Sequence, residues 1–392
     1  MKKNNSTLSG LVIGIDAANL RQGGGATHLV ELLRAAKPQE QGVAQVLVWG
    51  NTSILAALED RPWLVKLCPP VLDQGLFKRI LWQKFTLSKA ARAASCDLLF
   101  VPGGSYAGSF KPVVTMCRNM LPFEWRELKR YGVSLITLRL LLLRLSQSRS
   151  FLHAEAVIFL THYAKGDVLN IIGALQGKTA IIPHGLSTRF HNAPKIQHSI
   201  TDYTFYNPYR LIYVSIIDQY KHQWLVVEAV AALRKQGLPV VLDLVGPAYP
   251  PALARLNKCL KQWDSEQSWV SYHGAIAYNE LHQKYAQADL GVFASSCENM
   301  PNILLETMAA GLPVACSNRG PMLEVLGDAG VYFDPEQSDE IALALRKLIE
   351  SPQLRTALAQ ASYDRAHQYT WQRCAENTFA FLAAISLQHK TG

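Results

Sequence analysis

Residues 290–324 read L-G-V-F-A-S-S-C-E-N-M-P-N-I-L-L-E-T-M-A-A-G-L-P-V-A-C-S-N-R-G-P-M-L-E, and no other stretch of the chain limits the fold so tightly. The apolar run over residues 290–294 has the length of a buried strand, and it breaks into Ser295, Ser296, Cys297 and Glu298 where such a strand reaches its carboxyl end. A helix then starts at Asn299 or Pro301, because proline is tolerated in a first turn whose amides have no internal partner. Ile303, Leu304, Thr307 and Met308 make its apolar side. Gly311, Leu312 and Pro313 end the helix, and Val314 and Ala315 resume a strand. Open α/β sheets bind ligands beyond the carboxyl ends of their strands. A helix amino terminus at that edge offers free amides to an anion or to hydroxyls. Glu298 lies before the helix and Glu306 about two turns into it, and carboxylates so placed suit neutral hydroxyl groups better than phosphate.

The same rhythm runs through the whole chain. Residues 11–15, 44–49, 98–102, 113–116 and 157–160 read as strands, with helical stretches such as 75–94 between them. After the first strand come Gly23, Gly24 and Gly25 and then a helical pattern, the sequence form of a backbone that approaches a bound group closely. It is not the dinucleotide fingerprint, since G-x-G-x-x-G is missing. A second series follows, with strands expected at 211–217, 240–245, 269–273, 290–294, 314–315 and 331–333. Helices are expected at 336–349, 352–367 and 372–387. Two α/β domains follow from this arrangement: 1–191, then a polar linker at 192–209 with Pro194 and Pro208, then 210–374, and a last helix over 375–392. A chain of 392 residues is long enough to give each domain a full sheet.

Seven scattered cysteines with no C-x-x-C pair argue against a disulfide framework or a zinc site, and fit a reducing, cytoplasmic setting. No segment reaches the eighteen or so apolar residues that span a bilayer. The net charge of +9 points to an acidic ligand or an anionic surface. Arg126, Lys129, Arg130, Arg139, Arg144 and Arg149 are interleaved with Leu135, Leu138, Leu140 to Leu143 and Leu145. Residues 126–149 thus read either as a helix lying on an anionic membrane surface, peripheral on the inner face, or as a core helix with exposed arginines. The basic residues sit among leucines rather than stacking aromatics, so no nucleic-acid partner is expected.

The frame E-N-M-P-N-I-L-L-E-T-M-A-A-G-L-P-V resembles the signature of the group-1 retaining glycosyltransferases (family 4 type), which have the GT-B fold, two Rossmann-like domains facing across a cleft. The resemblance implies that Glu298 holds hydroxyls of a donor sugar and Glu306 the ribose of its nucleotide, with Met300, Pro301 and Asn302 in the same donor-binding turn. It also implies that Lys221, beyond the strand at 211–217, meets the donor diphosphate. Ser215 falls at a glycine of the family frame, and Ile216 stands where an arginine is usual. Arg319 and the more distant Arg21 are the candidates to replace it. The loop at Gly274 implies nucleotide-base contacts. In the first domain the likeness assigns Gly24 and Gly25 to a cleft loop near diphosphate and acceptor. It gives Asn119 a sugar contact at a strand end where Arg118 replaces the usual histidine, and puts His184 at the hinge in place of asparagine, either as a cleft ligand or as an ordinary turn residue. The last helix is implied to cross back onto the first domain.

What this implies is an enzyme that moves a hexose from a nucleotide-diphosphate-sugar to a hydroxyl of a glycan or lipid-linked acceptor with retention of configuration. Its expected setting is cell-surface polysaccharide or lipopolysaccharide biosynthesis. No cofactor and no metal are expected, there being no Asp-x-Asp motif. Two other readings stand beside it. One is a sugar-nucleotide epimerase of the same fold, with His184 and His273 as acid and base. The other is a non-catalytic, membrane-peripheral partner of a glycan assembly complex.

Overall fold

The computed structural model describes residues 10–21 and 23–391. Among them thirteen strands form two sheets in which every pairing is parallel. The first holds β1 (Leu11–Asp16), β2 (Val43–Trp49), β3 (Leu64–Leu67), β4 (Leu98–Val101), β5 (Val113–Met116), β6 (Ala156–Phe159) and β7 (Lys178–Ile181), in the order β3-β2-β1-β4-β5-β6-β7. The second holds β8 (Tyr209–Val214), β9 (Val240–Val245), β10 (Val270–Tyr272), β11 (Leu290–Phe293), β12 (Val314–Ser317) and β13 (Val331–Phe333), in the order β10-β9-β8-β11-β12-β13. A parallel sheet is covered on both faces, so its central strands are apolar without alternation. β4 (LLFV), β6 (AVIF) and β11 (LGVF) are buried at every residue.

In both sheets the strand order reverses beside the first strand, between β1 and β4 and between β8 and β11. Successive crossovers depart to opposite faces at that point and leave a crevice at the carboxyl ends. In the second sheet, helix Asn302–Ala309 is seated directly on β11. A Cβ added to Gly291 would come within 2.1 Å of Thr307 Cγ2, so only glycine lets the helix approach this far.

The chain divides into two compact units. The first contains the residues up to Phe123, Leu138–Gly185, and those from Thr370 onward, so helix Trp371–Thr391 belongs to it. The second contains Glu124–Thr137 and Leu186–Tyr369. Two features differ from the sequence expectation. Residues 124–137 lie between β5 and β6 in the chain and yet belong to the second unit. The expected linker at 192–209 packs on that unit as well: Asn192 N donates to Ala309 O (2.9 Å), Lys195 Nζ to Ala288 O (2.8 Å), and buried Arg355 Nε to Gln197 Oε1 (2.9 Å). A buried guanidinium must satisfy its donors, and this segment supplies acceptors.

Candidate active site

The second unit's crevice is built by two loops, one after β8 and one after β11. They are tied together by Ser296 N donating to Tyr220 O (2.9 Å) and by His222 Nε2 against Ser296 Oγ (2.9 Å). Tyr213 Oη anchors the first loop from beneath, donating to Lys221 O at 2.8 Å. His222 takes a left-handed backbone (φ 52°) and is buried. Burial, and then the charges of Arg130 and Arg255, hold its imidazole down to about 3, so it is a neutral structural group. These ties set Lys221 Nζ in an ion pair with Glu298, the two side chains only 7% and 15% exposed. The ammonium lies 5.4 Å from the Phe293 ring centroid and 5.0 Å from that of Tyr220. A cation and an anion are thus brought together at the switch point, with little water to screen either one.

Glu306, eight positions after Glu298, is 3% exposed. Burial lifts its carboxyl to about 8, while hydrogen bonds from Tyr278 and Tyr285 and the charge of Arg189 pull the other way. Tyr285 Oη reaches Glu306 Oε2 at 3.4 Å, and Phe190 packs on both tyrosine rings. The helix begins at Asn302, not at Asn299 or Pro301: Pro301 is the residue just before it, and like Met300 it is buried. Proline's missing N–H suits the turn equally well from this position. No side chain caps the helix, and Asn302 Oδ1 is buried with no partner among the described residues.

Other expected residues have internal duties. Ser215 Oγ accepts from Gln223 Nε2 (2.8 Å), as does the carbonyl of Ile216 (2.9 Å). Gly274, at φ 66°, accepts Gly246 N on its carbonyl (2.8 Å). His273 Nε2 lies 2.7 Å from Asp243 Oδ1. Of the candidates to replace the missing arginine, Arg319 pairs with Asp334 (2.5 Å) in the second unit. Arg21 belongs to the first unit and donates to the carbonyls of Leu72 and Gln74. Arg126 and Arg130, expected within the basic stretch 126–149, both reach Glu336 Oε1 at 2.8 Å, and Tyr131, which the sequence did not single out, donates its hydroxyl to Asp218 Oδ1 at 2.8 Å. The only signal for this return to the second unit was the polar E-W-R-E-L-K-R run itself.

In the first unit, Gly24 and Gly25 open helix Gly24–Ala35. Asn119 is exposed and accepts from Leu121 N (3.1 Å), which makes it a turn residue. His184 is no surface turn histidine: it is buried, with Nδ1 2.8 Å from Nδ1 of His28. His28 escaped notice because it occupies an apolar helix face, where it reads as core. Among the described residues no group of three or more His, Cys, Asp or Glu is placed to hold a metal ion, and no helix is long and apolar enough to cross a membrane.

Comparison with known proteins gives consistent results. The family model "Glycosyl transferases group 1" matches residues 202–365. The O-antigen chain mannosyltransferase B of Escherichia coli is 31% identical over 114 residues, which is 29% of this chain and 30% of that protein. A GDP-mannose-dependent alpha-(1-6)-phosphatidylinositol dimannoside mannosyltransferase of Mycobacterium tuberculosis is 24% identical over 250 residues, 63% of this chain and 62% of the relative. The matched stretches therefore span less than two thirds of these relatives. Anabaena HepE, crystallised with UDP and glucose, superposes with a TM-score of 0.67 at 18% identity over 95% of this chain and 100% of its own. The fold is the two-sheet GT-B architecture, and residues 202–365 are similar to the glycosyl transferases group 1 family.

Proposed function

We propose that this chain is a retaining glycosyltransferase, moving a hexose-type sugar from a nucleotide-diphosphate-sugar to a hydroxyl of a glycan or lipid-linked acceptor in cell-surface polysaccharide or lipopolysaccharide biosynthesis. The observation that carries the reading is the Lys221–Glu298 pair at the carboxyl ends of β8 and β11, with Glu306 eight positions further on. The mannosyltransferase relatives and the UDP-bound neighbour support the same class of donor.

Cleavage of the bond between the sugar and the diphosphate leaves negative charge on a phosphate oxygen. Lys221 Nζ and the uncapped amides at Asn302 stabilise that charge where solvent is scarce, and no resident metal is assigned to the step. Glu298 accepts from sugar hydroxyls and fixes the ring, while Glu306 accepts from the nucleotide's ribose. The acceptor hydroxyl attacks from the leaving group's own face, and its proton passes to the departing phosphate oxygen, so no side-chain base is required. The helix face carrying Leu138, Leu142 and Leu145 beside arginines supports an anionic membrane, at its cytoplasmic side, as the place of work.

A thermal-shift panel of UDP-, GDP- and ADP-sugars tests the reading, because a bound donor stabilises the folded state by mass action. One base is expected to give a saturable rise, lost in Glu306→Ala. Glu298→Ala is expected to keep most nucleotide binding and lose transfer by on the order of a hundredfold or more, the scale of a removed transition-state contact. Full transfer by the Glu298 variant, or no shift with any donor, refutes the proposal.

A further inference from the structure

Between β5 and β6 the chain leaves the first unit after Phe123 and rejoins it at Leu138, and the strap between, Glu124–Thr137, belongs to the second unit. Its own hydrogen bonds make it firm. Helix Trp125–Lys129 runs into a turn in which Arg130 N donates to Glu127 O (3.1 Å), Tyr131 N to Leu128 O (3.2 Å) and Gly132 N to Lys129 O (3.0 Å). Gly132 takes φ 58°, the left-handed conformation that ends a helix, and Thr137 Oγ1 closes back onto its carbonyl at 2.6 Å. Glu127 and Leu128 are buried. At one end Arg126 and Arg130 share Glu336 Oε1, and Arg130 also holds Glu127. Two arginines meet two carboxylates there, which makes this end a fastening rather than a free cationic site.

At its other end the strap meets the loop that carries Lys221. Tyr131 Oη donates to Asp218 Oδ1 at 2.8 Å, and the Tyr131 ring lies 5.8 Å from that of Tyr249, in the loop after β9. Asp218 organises the loop after β8: its Oδ1 also accepts from Gln219 N (2.7 Å), and its carbonyl accepts from Lys221 N (3.1 Å). The Asp218 side chain is buried, so it depends on its donors. Burial pushes its carboxyl up, and the bonds from Gln219 and Tyr131, with the charge of Lys221, act against this. The strap borders the second loop of the crevice as well, since the charges of Glu124 and Glu127 act on the thiol of Cys297, next to Glu298.

We propose that the strap is part of the donor machinery and that Tyr131 is a positioning residue: acting through Asp218, it sets the turn from which Lys221 serves the departing phosphate. The inference rests on the donor reading above and adds to it a residue that works only through another. A lysine on a loop is a flexible point charge, and it stabilises a developing anion best where it is held beforehand. Tyr213 ties this turn from beneath and Ser296 ties it from the loop after β11. Tyr131 supplies the remaining tie, from a segment that the chain sends out between two strands of the first sheet.

The test titrates the full chain with UDP and GDP, which carry the terminal phosphate that a donor releases, and with UMP and GMP, which lack it. With the base that wild type binds, Tyr131→Phe should weaken the diphosphate by about tenfold, the scale of a lost hydrogen bond to a charged group, and leave the monophosphate unchanged. Lys221→Met should show the same split. The double variant should bind no more weakly than Lys221→Met alone, because Tyr131 acts through the lysine. Asp218→Asn, which keeps an oxygen for both donors, should retain most of the diphosphate affinity, and Asp218→Ala should lose it. Should Tyr131→Phe fail to fold, Glu336→Gln, which loosens the strap at its fastened end, serves in its place with the same split expected. Equal weakening of diphosphate and monophosphate, additive losses in the double variant, or full diphosphate affinity in Tyr131→Phe overturns the inference and leaves the donor reading standing. Binding of neither diphosphate by wild type refutes the donor reading and the inference with it.

Discussion

Glu306 holds its carboxyl in a closed site beside Tyr278 and Tyr285, where burial outweighs the hydrogen bonds and the proton stays on to about pH 8. The unfolded chain releases that proton near 4.5. Between these values the native state binds a proton that the unfolded state has lost, so stability falls as pH rises across the window. Glu306→Gln removes this dependence. Relative to wild type the variant should gain about 1–3 kcal/mol between pH 5 and pH 8, read from urea unfolding at the two pH values. A difference independent of pH would mean the carboxyl is already ionised at pH 5. At this scale, Glu298, Glu306 and Lys221 were legible in the sequence because each stands at a fixed offset from a strand end or a helix start. Arg118 was noticed only as a departure from a family pattern. His28 was not noticed at all, since one polar residue on an apolar helix face carries no signal until its partner, 156 positions away, is known.

Strand β11 and helix Asn302–Ala309 act together to position the two glutamates, and they meet where Thr307 packs on Gly291. Gly291→Ala drives a methyl into Thr307 Cγ2, so the helix must shift or the strand must yield. The expected cost is about 1–3 kcal/mol of stability, as for other overpacked contacts, together with weaker sugar-nucleotide binding. Thr307→Ser removes the opposing methyl while keeping the hydroxyl that donates to Ile303 O at 2.8 Å. The double variant should therefore recover most of both losses in a thermal-shift titration, and additive losses would show that the contact does not set the helix. These elements were readable because an apolar run, a proline and a Gly-Leu-Pro stop bracket them. β3 was not, being four half-buried residues with Lys66 among them at a sheet edge. The helix expected over 75–94 contains a π turn at Gln83–Leu87, where buried Gln83 donates to Asp16 and to Ser105 O. A side chain serving two distant acceptors has no local sequence signature.

At the scale of the whole molecule, the two parallel sheets follow from repetition of short apolar runs and helical stretches. The division of the chain between the units does not, because the return of residues 124–137 and the packing of 192–208 depend on ion pairs and carbonyls far off in sequence. The basic, leucine-rich stretch was legible in composition and silent on direction. Helix Leu135–His153 buries Leu140, Gln147 and Phe151. It turns Leu138 (54% exposed), Leu142 (58%) and Leu145 (69%) outward, on the side that also carries Arg149 and is flanked by Arg139. On the proposed membrane reading, this outward leucine stripe beside arginines, on a chain of net charge +9, would set leucines at the acyl boundary and guanidinium groups against lipid phosphates. The chain should float with vesicles containing anionic lipid at low salt, float poorly with purely zwitterionic vesicles, and be released as salt shortens the screening length. Replacing Arg139 and Arg149 by glutamine should weaken the partition by on the order of tenfold, since each basic residue near such a surface contributes about 1 kcal/mol. Replacing Leu138, Leu142 and Leu145 by serine should leave the salt dependence and remove most of the binding to anionic vesicles. Equal flotation of all three proteins would locate the attachment elsewhere on the chain, and no flotation of wild type at low salt would leave the stripe with no role at a membrane.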